Sequence, residues 1–192
     1  MGKFHPRLTA EHAAFIRDQH IFFVSTAPIK NDGHINLSPK GLDAFRVLSE
    51  TEVGYMDLIS SGNETSAHTR ENGRITFMFC SFGPKPLIMR LYGKGRAVLT
   101  GTPEYDRYAP HFTTYPSTRQ LVIAEIDLVQ TSCGFGVPMY DYKGERDIHF
   151  EWAEHKGADG LKDYIRENNL VSLDGLQTDW GVEWGGTDTL DD

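Results

Sequence analysis

Ile21-Phe22-Phe23-Val24-Ser25-Thr26-Ala27, followed by Asp32-Gly33 and then His34-Ile35-Asn36-Leu37-Ser38-Pro39-Lys40-Gly41, is the stretch on which the fold turns. β-Branched and aromatic side chains fill the first run, Asp-Gly is a hairpin signal, and His34 to Ser38 reads as the returning strand. Pro39 has no backbone donor, which predicts that the ladder ends there, and Gly41 suits a tight turn. The result is an antiparallel hairpin that leaves a hydroxyl, Ser38, and a cation, Lys40, at the strand exit.

Outward from this hairpin the signals stay antiparallel. Thr9 caps a first helix over 9–19. Strands are predicted over 45–48 and 53–58, the second alternating Val53, Tyr55 and Asp57 against Gly54, Met56 and Leu58. Asn63 is an N-cap residue for a helix that stops at Asn72-Gly73. Two long strands follow, over 74–82 and 87–99, parted by Gly83-Pro84-Lys85-Pro86, which has to turn. A short helix over 103–109 and a strand over 121–131 bring the count to about six or seven strands, enough for a barrel. Past Gly134 the pattern becomes helical, over 144–156 and 158–168. The chain therefore divides into a barrel, 1–142, and a helical arm with an acidic tail, 143–192, packed on the same domain or on a dimer partner.

Composition narrows the function. The chain has 192 residues, enough to bury a core without metal or disulfide staples. A formal net charge of -8 with no run of Lys or Arg argues against nucleic acid, leaving a small molecule as the expected ligand. No stretch is long and apolar enough for a membrane span, and Met1 to Leu8 lacks the apolar run of a signal peptide, so the expected location is the cytoplasm. Cys80 and Cys133 lack metal-site spacing and read as small packed residues. The histidines show no HxH or HExxH spacing, read mostly as surface residues, and point to no metal site.

Three segments could together hold an anionic cofactor. Asn36 to Gly41 leaves its strand with Ser38 and Lys40 available for a phosphate. Ser61-Gly62-Asn63-Glu64-Thr65-Ser66 opens a helix whose free N–H groups, with the Thr65 and Ser66 hydroxyls, suit an anion. Arg90 lies mid-strand with Ile88 and Tyr92 on its face. Taken singly, each has a plainer reading as a turn, a cap or a strand residue; their order along the chain gives them weight.

In that order the sequence resembles the pyridoxamine 5'-phosphate oxidase-like family of flavin-binding split barrels. The similarity is carried by Gly33 to Gly41, by Gly62-Asn63-Glu64-Thr65 with Glu71-Asn72-Gly73-Arg74-Ile75-Thr76, and by Leu91-Tyr92-Gly93-Lys94-Gly95. It continues through Cys133-Gly134-Phe135-Gly136-Val137-Pro138 and Asn169 to Gly175. The resemblance implies a six-stranded antiparallel split β-barrel, working as a homodimer, with one flavin mononucleotide (FMN) in each of two interface clefts. It implies that Lys40, Thr65, Ser66 and the helix start beginning at Asn63 cradle the phosphate, that Asn36 to Ser38 border the ring, and that Arg90 lies near the ring's pyrimidine end. Asp57 would accept from a ring or ribityl donor; its plainer reading is a solvated strand end.

The departures bear on substrate. Authentic pyridoxamine phosphate oxidases carry an Arg-Lys pair before this helix, where the chain has Asn63-Glu64-Thr65, and end in a basic terminus, where it has Thr187-Asp188-Thr189-Leu190-Asp191-Asp192. An acidic tail repels pyridoxamine phosphate, so vitamin B6 oxidation is not the expected activity. The expected function is an FMN-dependent oxidoreductase acting on another small molecule, without an assigned catalytic side chain. The alternatives are a non-catalytic flavin or haem binder and a deazaflavin-dependent reductase. Trp180 and Trp184 read as anchors for the tail, with a lid over a partner's flavin as the other possibility.

Overall fold

Burial alternates along Phe22–Thr26 (β2), with Phe22, Val24 and Thr26 inward and Phe23 and Ser25 only half-buried, the period-two pattern of a sheet with one covered face. The computed structural model describes residues 2–185. Within them the other strands are Lys3–His5 (β1), Asn36–Lys40 (β3), Phe45–Val47 (β4), Glu52–Leu58 (β5), Arg74–Cys80 (β6), Ile88–Leu99 (β7) and Thr118–Ser132 (β8). They form one antiparallel sheet in the order β3-β2-β6-β7-β8-β5-β4, and β1 pairs with the distal part of β8.

The sheet curls until its two ends meet. Phe45 of β4 packs edge-on against Phe22 of β2 at 5.0 Å and against Phe77 and Phe79 of β6 at 5.2 and 4.9 Å between ring centroids. Those strands are far apart along the hydrogen-bonded path, so only a curled sheet brings the rings together. Inside lie Val24, Tyr55, Phe77, Leu91, Val122 and Val129, all without exposure. Each buried apolar side chain of this size contributes about 1.5–3 kcal/mol, which makes the core the main source of stability. The result is the expected split barrel, with a seven-strand path in place of six and with the short β1, which carried no signal in the sequence.

Five α-helices complete the fold among the described residues: Ala10–Arg17 (α1), Glu64–Asn72 (α2), Pro103–Tyr108 (α3), Ile148–Asn168 (α4) and Asp179–Glu183 (α5). Thr9 caps α1 by accepting from the His12 backbone N–H. Gly73 ends α2 at φ 74°, a left-handed conformation that favours glycine. A smaller apolar cluster of Ile59, Ala153, Leu161, Ile165 and Trp180 joins α4 and α5 to the barrel.

Several expectations are corrected. Pro39 does not end its strand: it pairs with Phe23 inside β3, which is tolerated because β3 is an edge strand with one side unpaired. The helix expected from residue 144 begins at Ile148, and residues 139–147 are irregular and exposed. The break expected between 156 and 158 is present, as Gly157 at φ 66°, ψ 174°. Cys133 is exposed while Cys80 is buried; Cys133 follows the end of β8, beyond the packed sheet. No described helix is long and apolar enough to cross a membrane. The acidic residues 187–192 lie outside the described residues.

Candidate functional site

Pairing with β2 sets the direction of the β3 side chains. Asn36, Ser38 and Lys40 lie opposite Thr26, Val24 and Phe22, and directly opposed residues in a ladder share a face, so all three point toward the barrel interior. The start of α2 lies against them. Asn36 Nδ2 donates to Thr65 Oγ1 and Thr26 Oγ1, both at 3.2 Å, and Ser38 Oγ donates to Asn36 Oδ1 at 2.8 Å. Thr26 Oγ1 in turn lies 3.0 Å from Nδ1 of the buried His68.

Lys40 reaches across to β5, where its Nζ lies 2.9 Å from Asp57 Oδ1. Asp57 is not a solvated strand end: it is 1% exposed. Its other oxygen accepts from Arg119 Nε and Gln120 Nε2, each at 2.9 Å. Gln120 stands directly opposite Asp57, and a register shift between Asp57 and Leu58 inserts Arg119 as an extra residue in β8. Such a bulge re-aims a side chain, and here it turns a guanidinium onto the same carboxylate. Burial alone would raise the Asp57 pKa, but the charges of Arg119 and Lys40 outweigh it and hold the carboxyl at about 2.

Asn63 belongs to the same network. It makes no side-chain cap bond to α2; its Oδ1 instead accepts from Gln120 Nε2 at 2.8 Å. Arg119 Nη1 donates to Asn169 Oδ1 at 2.8 Å, and Asn169 Nδ2 donates to the Ser60 carbonyl at 2.8 Å, which ties the chain beyond α4 to the barrel.

The start of α2, expected to be open to an anion, is covered by residues 169–184. Ser66 Oγ donates to Asp179 Oδ2 at 2.8 Å and accepts from the Asp179 backbone N–H at 2.9 Å. The Glu64 carboxylate accepts from the Leu173 N–H at 3.1 Å. Asp174 accepts from the His34 backbone N–H at 2.7 Å and lies 2.6 Å from His34 Nδ1. Burial pushes the carboxyls of Glu64 and Asp179 above the usual range. A phosphate brought to this helix start would meet two carboxylates and a saturated serine, so the expected cradle does not fit one in this arrangement.

Arg90 stands apart from the other expected site residues. It pairs with Met78 and Gln130, and Met78 pairs with Phe23, so Arg90 shares the outer face with Phe23 while Lys40 faces inward. Its guanidinium reaches Ser132 Oγ at 3.5 Å.

Cavities flank the sheet among the described residues. A cleft of about 950 Å³ opens where β2 and β3 meet residues 140–149, lined by Phe23, Pro39, Lys40, Phe82, Tyr140 and Arg146. On its wall His20 and Tyr142 stack at 3.6 Å between centroids and 6° between planes. The turn after Gly41 carries two consecutive non-glycine residues in the left-handed region, Leu42 at φ 61° and Asp43 at φ 51°, and Arg46 holds it with 3.0 and 2.9 Å contacts to the Asp43 carboxylate. Backbone strain of this kind tends to gather at binding sites. A second cavity of about 700 Å³ separates the start of β8 from α4 and α5, with Trp180 and Trp184 on its wall. The two rings lie 4.6 Å apart, and Trp180 is buried, so the tryptophans anchor this segment on their own barrel. Among the described residues no group of three or more His, Cys, Asp or Glu side chains is placed to hold a metal.

A curled antiparallel sheet with an unpaired edge strand, a helix start packed against that strand, and a cleft beside it define a protein of the split-barrel class. The family model described as pyridoxamine 5'-phosphate oxidase matches residues 8–133. A curated relative, "Pyridoxamine 5'-phosphate oxidase family protein ustO" of Aspergillus flavus, is 47% identical over 82% of this chain and 70% of its own length. The chain belongs to the pyridoxamine 5'-phosphate oxidase family. Solved structures with a similar fold include HupZ of Group A Streptococcus, with TM-score 0.51 and 19% identity over 65% of this chain and 98% of that one. A putative pyridoxamine 5'-phosphate oxidase from Lactobacillus delbrueckii has TM-score 0.50 and 16% identity over 65% of this chain and 94% of that one.

Residues the sequence reading passed over are Arg119, Gln120, Asn169 and Asp179. For the first two there was a signal: a charged and an amide residue stand directly before the apolar run Leu121 to Ala124 of Thr118–Ser132, and polar residues entering such a strand need partners inside. Nothing local marked Asn169 or Asp179 as a site residue, because their barrel partners lie from 50 to more than a hundred residues away in sequence.

Proposed function

We propose that the chain is a flavin-binding oxidoreductase that works as a homodimer on a small molecule other than pyridoxamine phosphate. The observation that carries this reading is the cleft beside the edge strand β3. Its size is that of a cofactor or ligand site, its walls are aromatic, and Lys40 sits at the strand exit. A planar ring would lie against Phe23 and Pro39, beside Lys40 at the strand exit. When bound, a flavin supplies hydride or single-electron transfer, and the protein supplies position and electrostatics.

The dimer reading rests on the same edge. Leu37, on the outer side of the unpaired edge strand, and Ile35, just before it, are 64% and 73% exposed. An unpaired edge beside exposed apolar side chains invites pairing, and a symmetric partner covers it with the same surface. Purified protein should be yellow, release FMN or another flavin identifiable by mass, and bleach on addition of a nicotinamide donor. Colourless protein that takes up no added flavin overturns the cofactor, and a bound flavin that no donor reduces overturns the enzymatic reading.

A further inference from the structure

Between Gly134 and the start of α4 the chain forms a wall of the cleft beside β3 with little to hold it there. Gly134, at φ 65°, is a fixed end: a Cβ there would come within 2.9 Å of the Leu87 backbone nitrogen, so the two backbones touch. Among the described residues, a single backbone hydrogen bond joins residues 135–146 to the barrel, from the Tyr140 N–H to the Phe82 carbonyl at 3.1 Å. Met139, Tyr140 and Tyr142 leave large apolar surfaces in solvent. A segment with few buried apolar contacts and a solvated backbone belongs to the part of a fold that opens most readily.

What holds the segment is aromatic. Tyr140 lies 5.5 Å from Phe82 with 28° between the rings, and Tyr142 stacks on His20. Tyr142 Oη also donates to Glu145 Oε1 at 3.0 Å, a bond within the segment itself. The His20–Tyr142 stack has a cavity on two sides. Both residues line the large cleft, and both line a smaller cavity of about 400 Å³ with Leu42, Asp43, Tyr115 and Phe150. Gly144, at φ 136° with nothing within 4 Å of where a Cβ would stand, leaves the backbone beside Tyr142 room to turn. Phe23 and Pro39, the surfaces given to a planar ring above, line the same cleft.

We propose that residues 135–147 form a strap that closes over the bound ligand, with Tyr142 as its positioning residue. The Tyr142 ring stands on His20 in this structure, and on binding it trades that stack for one on the planar ring held against Phe23 and Pro39. The ligand class this requires is a flat conjugated ring system larger than imidazole, because only such a ring gives Tyr142 more stacking surface than it gives up. Closure also takes apolar surface of Tyr142 out of water, which favours the closed form further. The proposal rests on the flavin reading above.

Limited trypsin digestion reads the strap directly, because Lys143 and Arg146 lie within it and are exposed. Proteolysis tracks the population of the open form, so cleavage at these two sites, identified by fragment mass, should slow at least about tenfold when FMN is bound. Flavin fluorescence quenching of the flavin-free protein supplies the affinities. Tyr142→Ala should bind FMN about three- to tenfold more weakly, the size of one aromatic stack, and at saturating FMN its strap should stay open to trypsin. Tyr142→Phe, which keeps the ring and loses only the bond to Glu145, should behave as wild type. Tyr142 is 52% exposed, so neither change should shift the unfolding midpoint. His20→Ala should speed cleavage without FMN and leave the rate with FMN unchanged. Strap sites cut equally fast with and without bound FMN overturn the strap, and equal affinity and equal protection in wild type and Tyr142→Ala overturn the role of Tyr142. If wild type does not quench flavin fluorescence, the flavin reading falls. The digest is then repeated with anilinonaphthalene sulfonate, a conjugated probe: protection of the same two sites retains the strap, and its absence overturns it.

Discussion

Lys40 and Asp57 join the two ends of the open sheet: the Lys40 ammonium, at the end of edge strand β3, lies 2.9 Å from the Asp57 carboxylate on β5, next to the opposite edge. No backbone ladder links these strands, so the ion pair does at the split what hydrogen bonds do elsewhere in the barrel. It is reinforced from within by Arg119 and Gln120. Buried ion pairs contribute little net stability compared with apolar replacements, because desolvation offsets their attraction, but they become costly when one partner is removed.

That asymmetry ranks three substitutions. Asp57→Ala leaves the 3%-exposed Arg119 side chain without its carboxylate and should cost about 3–5 kcal/mol. Arg119→Met should be nearly as damaging. Lys40→Met should cost clearly less, because Lys40 is partly solvated and Asp57 keeps its other two partners. Urea unfolding of the three variants checks the order; equal losses for Lys40→Met and Asp57→Ala would show that the pair is not organised around Asp57.

The same carboxylate predicts an acid-sensitive fold. Asp57 is held at about 2 against an ordinary value of 3.8. A lowered folded-state pKa means that the charged form is favoured by folding, so the contribution is complete above the ordinary value and is lost as pH falls through about 2. The linkage is worth on the order of 2 kcal/mol at neutral pH. Wild type should lose stability faster than Asp57→Asn as pH falls from 4 to 2, and parallel acid limbs for the two proteins would contradict it.

How far the sequence disclosed this protein can be followed in single residues. The alternation of Phe22, Val24 and Thr26 and the Asp32-Gly33 signal gave the first hairpin, because strand faces and tight turns are local properties. The left-handed stop at Gly73 and the helix break at Gly157 were legible for the same reason. Pro39 was misread, since whether a proline ends a ladder depends on being at a sheet edge, which is a property of the whole topology. Asp57 was misread because it and its partners, Arg119 and Lys40, come from three separate strands. The site suffered most: Ser66 and Thr65 are correct as first-turn hydroxyls of a helix, but what they touch is decided by Asp179 and Asn36, and no local pattern announces such distant contacts.

If the outer edge of β3 pairs with a second copy, its apolar side chains carry the association. Leu37 lies on this edge, 64% exposed, away from the inward-facing Asn36, Ser38 and Lys40. Leu37→Glu should therefore leave the far-ultraviolet spectrum and the unfolding midpoint of the folded chain almost unchanged while converting dimer to monomer in sedimentation equilibrium. A variant that sediments as the wild type does would place the interface elsewhere.

The His34–Asp174 contact makes the segment over α2 responsive to pH, with a sign fixed by both partners. The hydrogen bond to Asp174 raises His34 above its ordinary 6.5, and the same bond lowers Asp174 below 3.8. A raised histidine favours the contact below its ordinary value and loses it as pH climbs through the raised one; a lowered carboxyl favours it above 3.8 and loses it as pH drops through the lowered one. The tether is therefore strongest between those ordinary values and loosens on the alkaline side first under physiological conditions. Titration of the His34 ring by NMR should give a midpoint above 6.5 in the wild type and an ordinary one in Asp174→Asn, and the amide signals of Leu173 and Gly175 should move with the same midpoint only in the wild type. A wild-type histidine that titrates at 6.5 would mean that the contact does not persist in solution, and the cover over Ser66 would then depend on Asp179 and Glu64 alone.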